Sequence, residues 1–130
     1  MVIKVMSKSQ AKRESFKLNI PTAIISITDR FDIPIKFHKS NFLVEVLNLH
    51  FDDEIEGLNI MTEADCFNIK SFVDRNKNKV TQIIIHCEAG VSRSPAIAAA
   101  VMLLLNQSDN EIWNNPKFCP NEHCFVLMNK

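Results

Sequence analysis

Apolar residues along this chain fall into short runs separated by polar stretches of helical spacing, and that alternation predicts an α/β domain. Val2 to Met6 forms a first strand-like run. Ala23-Ile24-Ile25-Ser26-Ile27, entered after Pro21 and left through Thr28-Asp29, forms a second. Phe42 to Phe51 (FLVEVLNLHF), rich in branched and aromatic residues, forms a third. Ile83-Ile84-Ile85, following Gln82, is β-branched without alternation, the pattern of a central strand covered on both faces.

Helices announce themselves by their caps. Thr62-Glu63-Ala64-Asp65 has the form of a capping box and predicts a helix to about Asn76, with Cys66, Ile69, Phe72 and Val73 on its inner face. Ser94-Pro95 predicts another, with Ser94 as N-cap and Pro95 at the first helical position. Its body, AIAAAVMLLL, is apolar all round, which places it in the middle of the domain. Ser108-Asp109-Asn110-Glu111 reads as a second capping box opening a short helix through Trp113, and Pro120-Asn121-Glu122 opens a last helix. Lys4 to Lys17, with five basic residues, reads as a solvated face. The expected architecture is one domain over residues 1–130: a short central sheet, mostly parallel, flanked by helices.

Composition narrows the function. The chain is 46% hydrophobic and 23% charged, as ordinary globular proteins are. Its 15 basic and 15 acidic side chains cancel, which disfavours a nucleic-acid partner. No apolar run approaches the roughly 20 residues that span a bilayer, so no membrane partner is expected. The opening MVIKVMSKSQAKR lacks a signal-peptide core. Cysteines 66, 87, 119 and 124 are therefore expected as free thiols in a reducing, cytoplasmic setting.

The chemistry concentrates in His86-Cys87-Glu88-Ala89-Gly90-Val91-Ser92-Arg93-Ser94, between a buried strand and a buried helix. A turn of that kind presents unsatisfied backbone N–H groups and the positive end of a helix dipole, a ready anion site. Gly90, one of two glycines, would allow a positive φ and a close backbone approach to a ligand. The same dipoles would favour a thiolate at Cys87, and Arg93 offers a planar fork for two phosphate oxygens. Nucleophile, cradle and clamp thus come from one stretch.

HCEAGVSRS resembles the HCxxGxxR[ST] signature of protein tyrosine phosphatases, and HCxxGxSRSP is typical of the small dual-specificity branch. The resemblance implies the cysteine-phosphatase fold and phosphomonoester hydrolysis through a phosphocysteine on Cys87. It implies that Arg93 and the N–H groups of Glu88, Ala89, Gly90, Val91, Ser92 and Arg93 bind the phosphoryl oxygens. It implies that His86 holds the loop and that the Ser94 hydroxyl stabilises the leaving thiolate. No cofactor or metal takes part, and the partner is a phosphorylated protein or a small aryl phosphate.

The family also needs an aspartic acid on a separate loop as general acid, here among Phe51-Asp52-Asp53-Glu54. The register puts Asp53 at that place, with Asp52 one residue away. Side-chain alternation agrees as long as the extended strand runs on: Leu47, Leu49, Phe51 and Asp53 share one side. Three alternatives stand beside this reading. A phosphate-binding interaction module without turnover is one. Sulfurtransferases and arsenate reductases, which share the Cys-x₅-Arg pattern, are another. Metal binding by Cys119, His123 and Cys124 is the third, and it lacks the second ligand pair of a structural zinc site.

Overall fold

The computed structural model describes residues 1–130 and places four strands at the centre: β1 (Val2–Ser7), β2 (Thr22–Thr28), β3 (Leu43–His50) and β4 (Gln82–Cys87). They pair in the order β1-β4-β2-β3, and every pairing is parallel. The expected sheet is therefore present and wholly parallel. Such sheets are stable only when covered on both faces. Alternate residues accordingly serve two cores: Ile83, Ile85, Ile25 and Ile27 face a large cluster, while Ile84 and Ile24 face a small one with Ala11.

Five helices cover these faces: α1 (Lys8–Ser15), α2 (Glu63–Asn76), α3 (Arg93–Leu104), α4 (Asn110–Trp113) and α5 (Glu122–Met128). α2 starts at the Thr62–Asp65 capping box as the sequence indicates, and Cys66, Ile69, Phe72 and Val73 are buried. α5 starts at Asn121, whose side chain caps the Cys124 amide.

Four details differ from the sequence reading. The basic stretch after β1 is a helix: Ser7 accepts from the Gln10 amide at 3.3 Å and the Gln10 side chain accepts from the Ser7 amide at 2.9 Å. α1 is mostly solvated, but Ala11 and Ser15 are buried. α3 begins two residues early, with Ser92 at the N-cap, so Ser94 is not the cap and Pro95 is the third helical residue. Pro95 is tolerated because first-turn N–H groups have no intrahelical acceptor to lose. The last turn of α3 is also less enclosed than its composition suggests, with Leu103 and Leu104 each 43% exposed. Finally, the N-cap position of α4 falls at Asp109 rather than Ser108, without a side-chain cap bond, and the Asp109 carboxylate takes the Trp113 indole N–H at 2.8 Å.

The strands' C-terminal ends share one edge of the sheet, where open α/β domains bind ligands. Ser7, Cys87, Thr28 and His50 end there. No helix is long and apolar enough to cross a membrane.

Candidate active site

β4 delivers Cys87 to the sheet edge, and α3 carries Arg93 and Ser94 back beneath it. The intervening loop is held by its carbonyls, all by outside amides. Glu88 O accepts from Lys8 N at 3.2 Å, Val91 O from Cys119 N at 2.8 Å and Ser92 O from Asn121 N at 3.0 Å. None of the amides of Glu88 to Ser92 donates to a protein acceptor. Tying the carbonyls outward and leaving successive N–H groups free creates a nest for an oxyanion.

Gly90 has φ +72°, as expected of this turn. The close approach it permits is to the protein's own backbone: a Cβ would lie 2.8 Å from Met6 C and Ser7 N. The glycine lets the loop seat on the end of β1.

Arg93 is buried, and only its Nη1 bonds to protein, to Asp29 Oδ1 at 2.7 Å and to the Phe51 carbonyl at 2.8 Å. Its Nε is the one buried side-chain polar atom of the molecule without a partner. A buried unpaired donor on a guanidinium is costly, so it marks a position suited to an anion. With Nη1 occupied, the Nε–Nη2 edge is left as a planar fork with room for a bidentate acceptor.

Cys87 is buried at the base of the loop, with Ser94 Oγ 3.0 Å and Ser94 N 3.4 Å from its sulfur. Displacing Ser94 from the cap puts its hydroxyl there. His86 supports the loop from behind. Its Nδ1 lies 3.0 Å from the Cys87 carbonyl, which can only accept, so Nδ1 carries the proton. Nε2 then accepts from the Ser26 hydroxyl at 2.6 Å. Burial holds the His86 pKa below its ordinary value, in keeping with this neutral tautomer.

The two neighbouring aspartates part company. Asp53 Oδ1 accepts from the Ser92 hydroxyl at 2.7 Å and from Asn121 Nδ2 at 2.9 Å, joining it to the loop. Both donors meet Oδ1, leaving Oδ2 outside these bonds. Asp52 turns away and accepts from the Arg30 amide at 3.0 Å. The residues named from sequence therefore converge, Cys87, Arg93, Ser94 and the loop directly and Asp53 through Ser92.

Four partners were not legible as such: Asp29 on Arg93, Ser26 on His86, Asn121 on Asp53, and Lys8 on Glu88. Asn121 carried a signal only as a helix opener. The other candidate ligands scatter. Cys119 is exposed, and His123 bonds the Met61 carbonyl at 2.8 Å. Cys124 is buried, its thiol pushed up to about 12 by burial first and by Asp53 second.

Comparison with known proteins follows the same lines. The family described as Dual specificity phosphatase, catalytic domain matches residues 3–128. No curated protein matches by sequence. Among solved structures, the human tyrosine phosphatase-like serine/threonine/tyrosine-interacting protein is 21% identical with a TM-score of 0.69, covering 98% of this chain and 88% of that one. A Cydia pomonella PTP-2 phosphatase is 17% identical with a TM-score of 0.68, covering 98% and 84%. PTPMT1 in complex with PI(5)P is 18% identical with a TM-score of 0.63, covering 98% and 88%.

Proposed function

The chain belongs to the dual-specificity phosphatase catalytic-domain family, and on that footing we propose that it hydrolyses phosphomonoesters, phosphotyrosine in protein foremost, through a phosphocysteine on Cys87. The observation that carries this reading is the pairing of a free amide nest with the unpartnered Nε of Arg93 around the Cys87 sulfur.

The ester's three non-bridging oxygens sit on the amides of Glu88 to Arg93 and on the Nε–Nη2 edge of Arg93. The Cys87 thiolate attacks phosphorus in line with the aryl oxygen, forming the S–P bond as the P–O bond breaks. Asp53 gives its proton to the departing oxygen. Charge builds on the oxygens in the transition state, where fixed donors act most strongly. Water then attacks the phosphocysteine, losing its proton to the Asp53 carboxylate. The thiolate leaves with the Ser94 hydroxyl donating to it, and inorganic phosphate is released. Every residue this cycle needs is present, which sets it above phosphate binding without turnover.

The test is release of phosphate from a chromogenic aryl phosphate and from phosphotyrosine peptides. Cys87→Ser should abolish turnover while still binding phosphate, and Arg93→Lys should be nearly as damaging, because a point charge cannot replace the fork. Phosphate binding with no turnover by the unaltered chain would return the protein to the class of interaction modules. The loop's variable positions, Glu88, Ala89, Val91 and Ser92, hold no base. Phosphoinositide headgroups should accordingly be poorer substrates than phosphotyrosine peptides.

A further inference from the structure

A groove of about 410 Å³ opens beside the phosphate loop, between α1 and the segment after β2. Three lysines, Lys8, Lys12 and Lys36, line it against a single carboxylate, Asp32. In a chain of zero net charge this is a local concentration of positive potential. Intramolecular pairing does not use it up. Lys12 and Lys36 form no ion pair, and Lys8 has one loose contact, 3.8 Å from a Glu88 carboxylate that is 67% exposed.

The groove borders the site. Lys8 bonds Glu88 of the loop through its backbone, and Thr28 in the groove wall precedes Asp29, the partner of Arg93. Carboxylates stand at the mouth itself: Asp53 bonds Ser92 of the loop, Asp52 bonds the Arg30 amide, and Glu54 and Glu56 follow them in the chain. A flat anionic bilayer laid over the mouth would press its headgroups on those carboxylates. A peptide crossing the mouth can send its negative charge to one side only.

We propose that this groove is a substrate subsite for an acidic side chain flanking the phosphorylated residue of a polypeptide. The proposal rests on the phosphatase reading above. Groups held by two partly exposed ammonium ions gain modest energy each, and that gain is screened by salt.

The experiment compares two phosphotyrosine peptides that differ only in a flanking Glu-Glu or Gln-Gln pair, using the unaltered chain and the Lys12→Glu/Lys36→Glu variant. Both lysines are exposed, so folding should survive. The unaltered chain should favour the acidic peptide in kcat/KM by about fivefold or more at low salt, the scale of two exposed ion pairs. The preference should vanish in the variant and fade at high salt.

Hydrolysis of a small aryl phosphate, too short to reach the groove, separates the two readings. Aryl phosphate turnover with no peptide preference overturns the subsite and leaves the phosphatase reading intact. So does a preference that survives in the variant. Faster hydrolysis of phosphoinositide vesicles than of the acidic peptide, lost in the variant, would assign the groove to a lipid headgroup instead and overturn the proposal. If nothing is hydrolysed, dissociation constants of the same peptides with Cys87→Ser decide: lysine-dependent preference supports the subsite, and equal affinity overturns it.

Discussion

Asp29 Oδ1 lies 2.7 Å from Arg93 Nη1, so a carboxylate at the end of β2 fixes the guanidinium that belongs to α3. The Phe51 carbonyl, just past β3, fixes the same nitrogen. Two strand ends thus fix the Nε–Nη2 edge in place, and in the proposed reaction that edge would need no reorganisation.

The first prediction tests this clamp. Asp29 is 55% exposed, so its charge is screened by solvent and its bond to Arg93 is the larger effect. Asp29→Ala should lower kcat/KM for an aryl phosphate by about tenfold, the loss of roughly one charge-assisted hydrogen bond. Asp29→Asn, which retains an accepting oxygen, should recover part of it. Equal activity of Asp29→Ala, Asp29→Asn and the unaltered chain would leave the pair a surface contact.

A second prediction concerns glycine. Gly90 and Gly57 both have positive φ, +72° and +123°. An added Cβ at Gly57 meets nothing within 4 Å, whereas at Gly90 it meets the backbone of Met6 and Ser7 at 2.8 Å. Gly57→Ala should cost only the backbone strain, about 1–3 kcal/mol. Gly90→Ala should cost more and should also displace the nest from β1, so activity falls beyond what stability explains. Thermal melts beside activity at a temperature where both variants are folded would check the ranking. A Gly90→Ala protein with full activity would dissociate the β1 contact from the site.

His86 gives a pH dependence of stability. Its folded pKa lies below the ordinary 6.5 because burial disfavours the charged ring. The unfolded chain therefore binds a proton that the folded chain refuses. Stability is fully present above about pH 6.5 and is lost as pH falls toward the folded value. Glu45, held down by its hydrogen bond from Arg75, also favours the folded state at higher pH, but its loss begins only near the ordinary 4.5. Denaturant melts between about pH 7 and pH 5 should thus isolate the histidine. His86→Asn should be less stable at neutral pH yet nearly flat across that range. A slope unchanged in the variant would place the titration elsewhere.

The reach of the sequence is visible in these same residues. His86 to Ser94 were legible because nucleophile, nest and fork occupy one contiguous turn. Asp29, Ser26 and Asn121 were not, because they meet their partners across 64, 60 and 68 residues, and only the tertiary fold brings them together. The strands are legible in short runs rich in apolar, branched and aromatic residues. α1 escaped because only Ala11 and Ser15 of its eight residues are buried, although Ser7 and Gln10 carried a capping pattern. The start of α3 was misplaced because Ser94-Pro95 satisfies the local rules for a cap while the Ser94 hydroxyl is engaged by Cys87.

The choice between Asp52 and Asp53 is the sharpest remaining prediction. Side-chain alternation favours Asp53 only while the strand continues. Phe51 still donates to the Thr28 carbonyl at 2.9 Å, but the Glu54 amide already folds back to the Asp52 carbonyl at 3.0 Å. Parity therefore ends at Phe51, and the hydrogen-bond partners distinguish the two aspartates. Asp53 is held through Oδ1 by Ser92 of the phosphate loop and by Asn121, leaving Oδ2 free to carry the proton. Asp52 is spent on the Arg30 amide. Asp53→Asn should lower kcat for a phenolate of poor leaving ability by about 10²-fold or more, within the range for a lost general acid. The loss should shrink for a strongly activated aryl phosphate, whose oxygen departs without a proton. Asn121→Ala should give a smaller loss with the same leaving-group trend, because it loosens the acid without removing it. Asp52→Asn should stay within about threefold, as a surface loop substitution does. If Asp52→Asn instead showed the large, leaving-group-dependent loss, the proton would come from Asp52, and the Ser92 and Asn121 bonds would be loop struts alone.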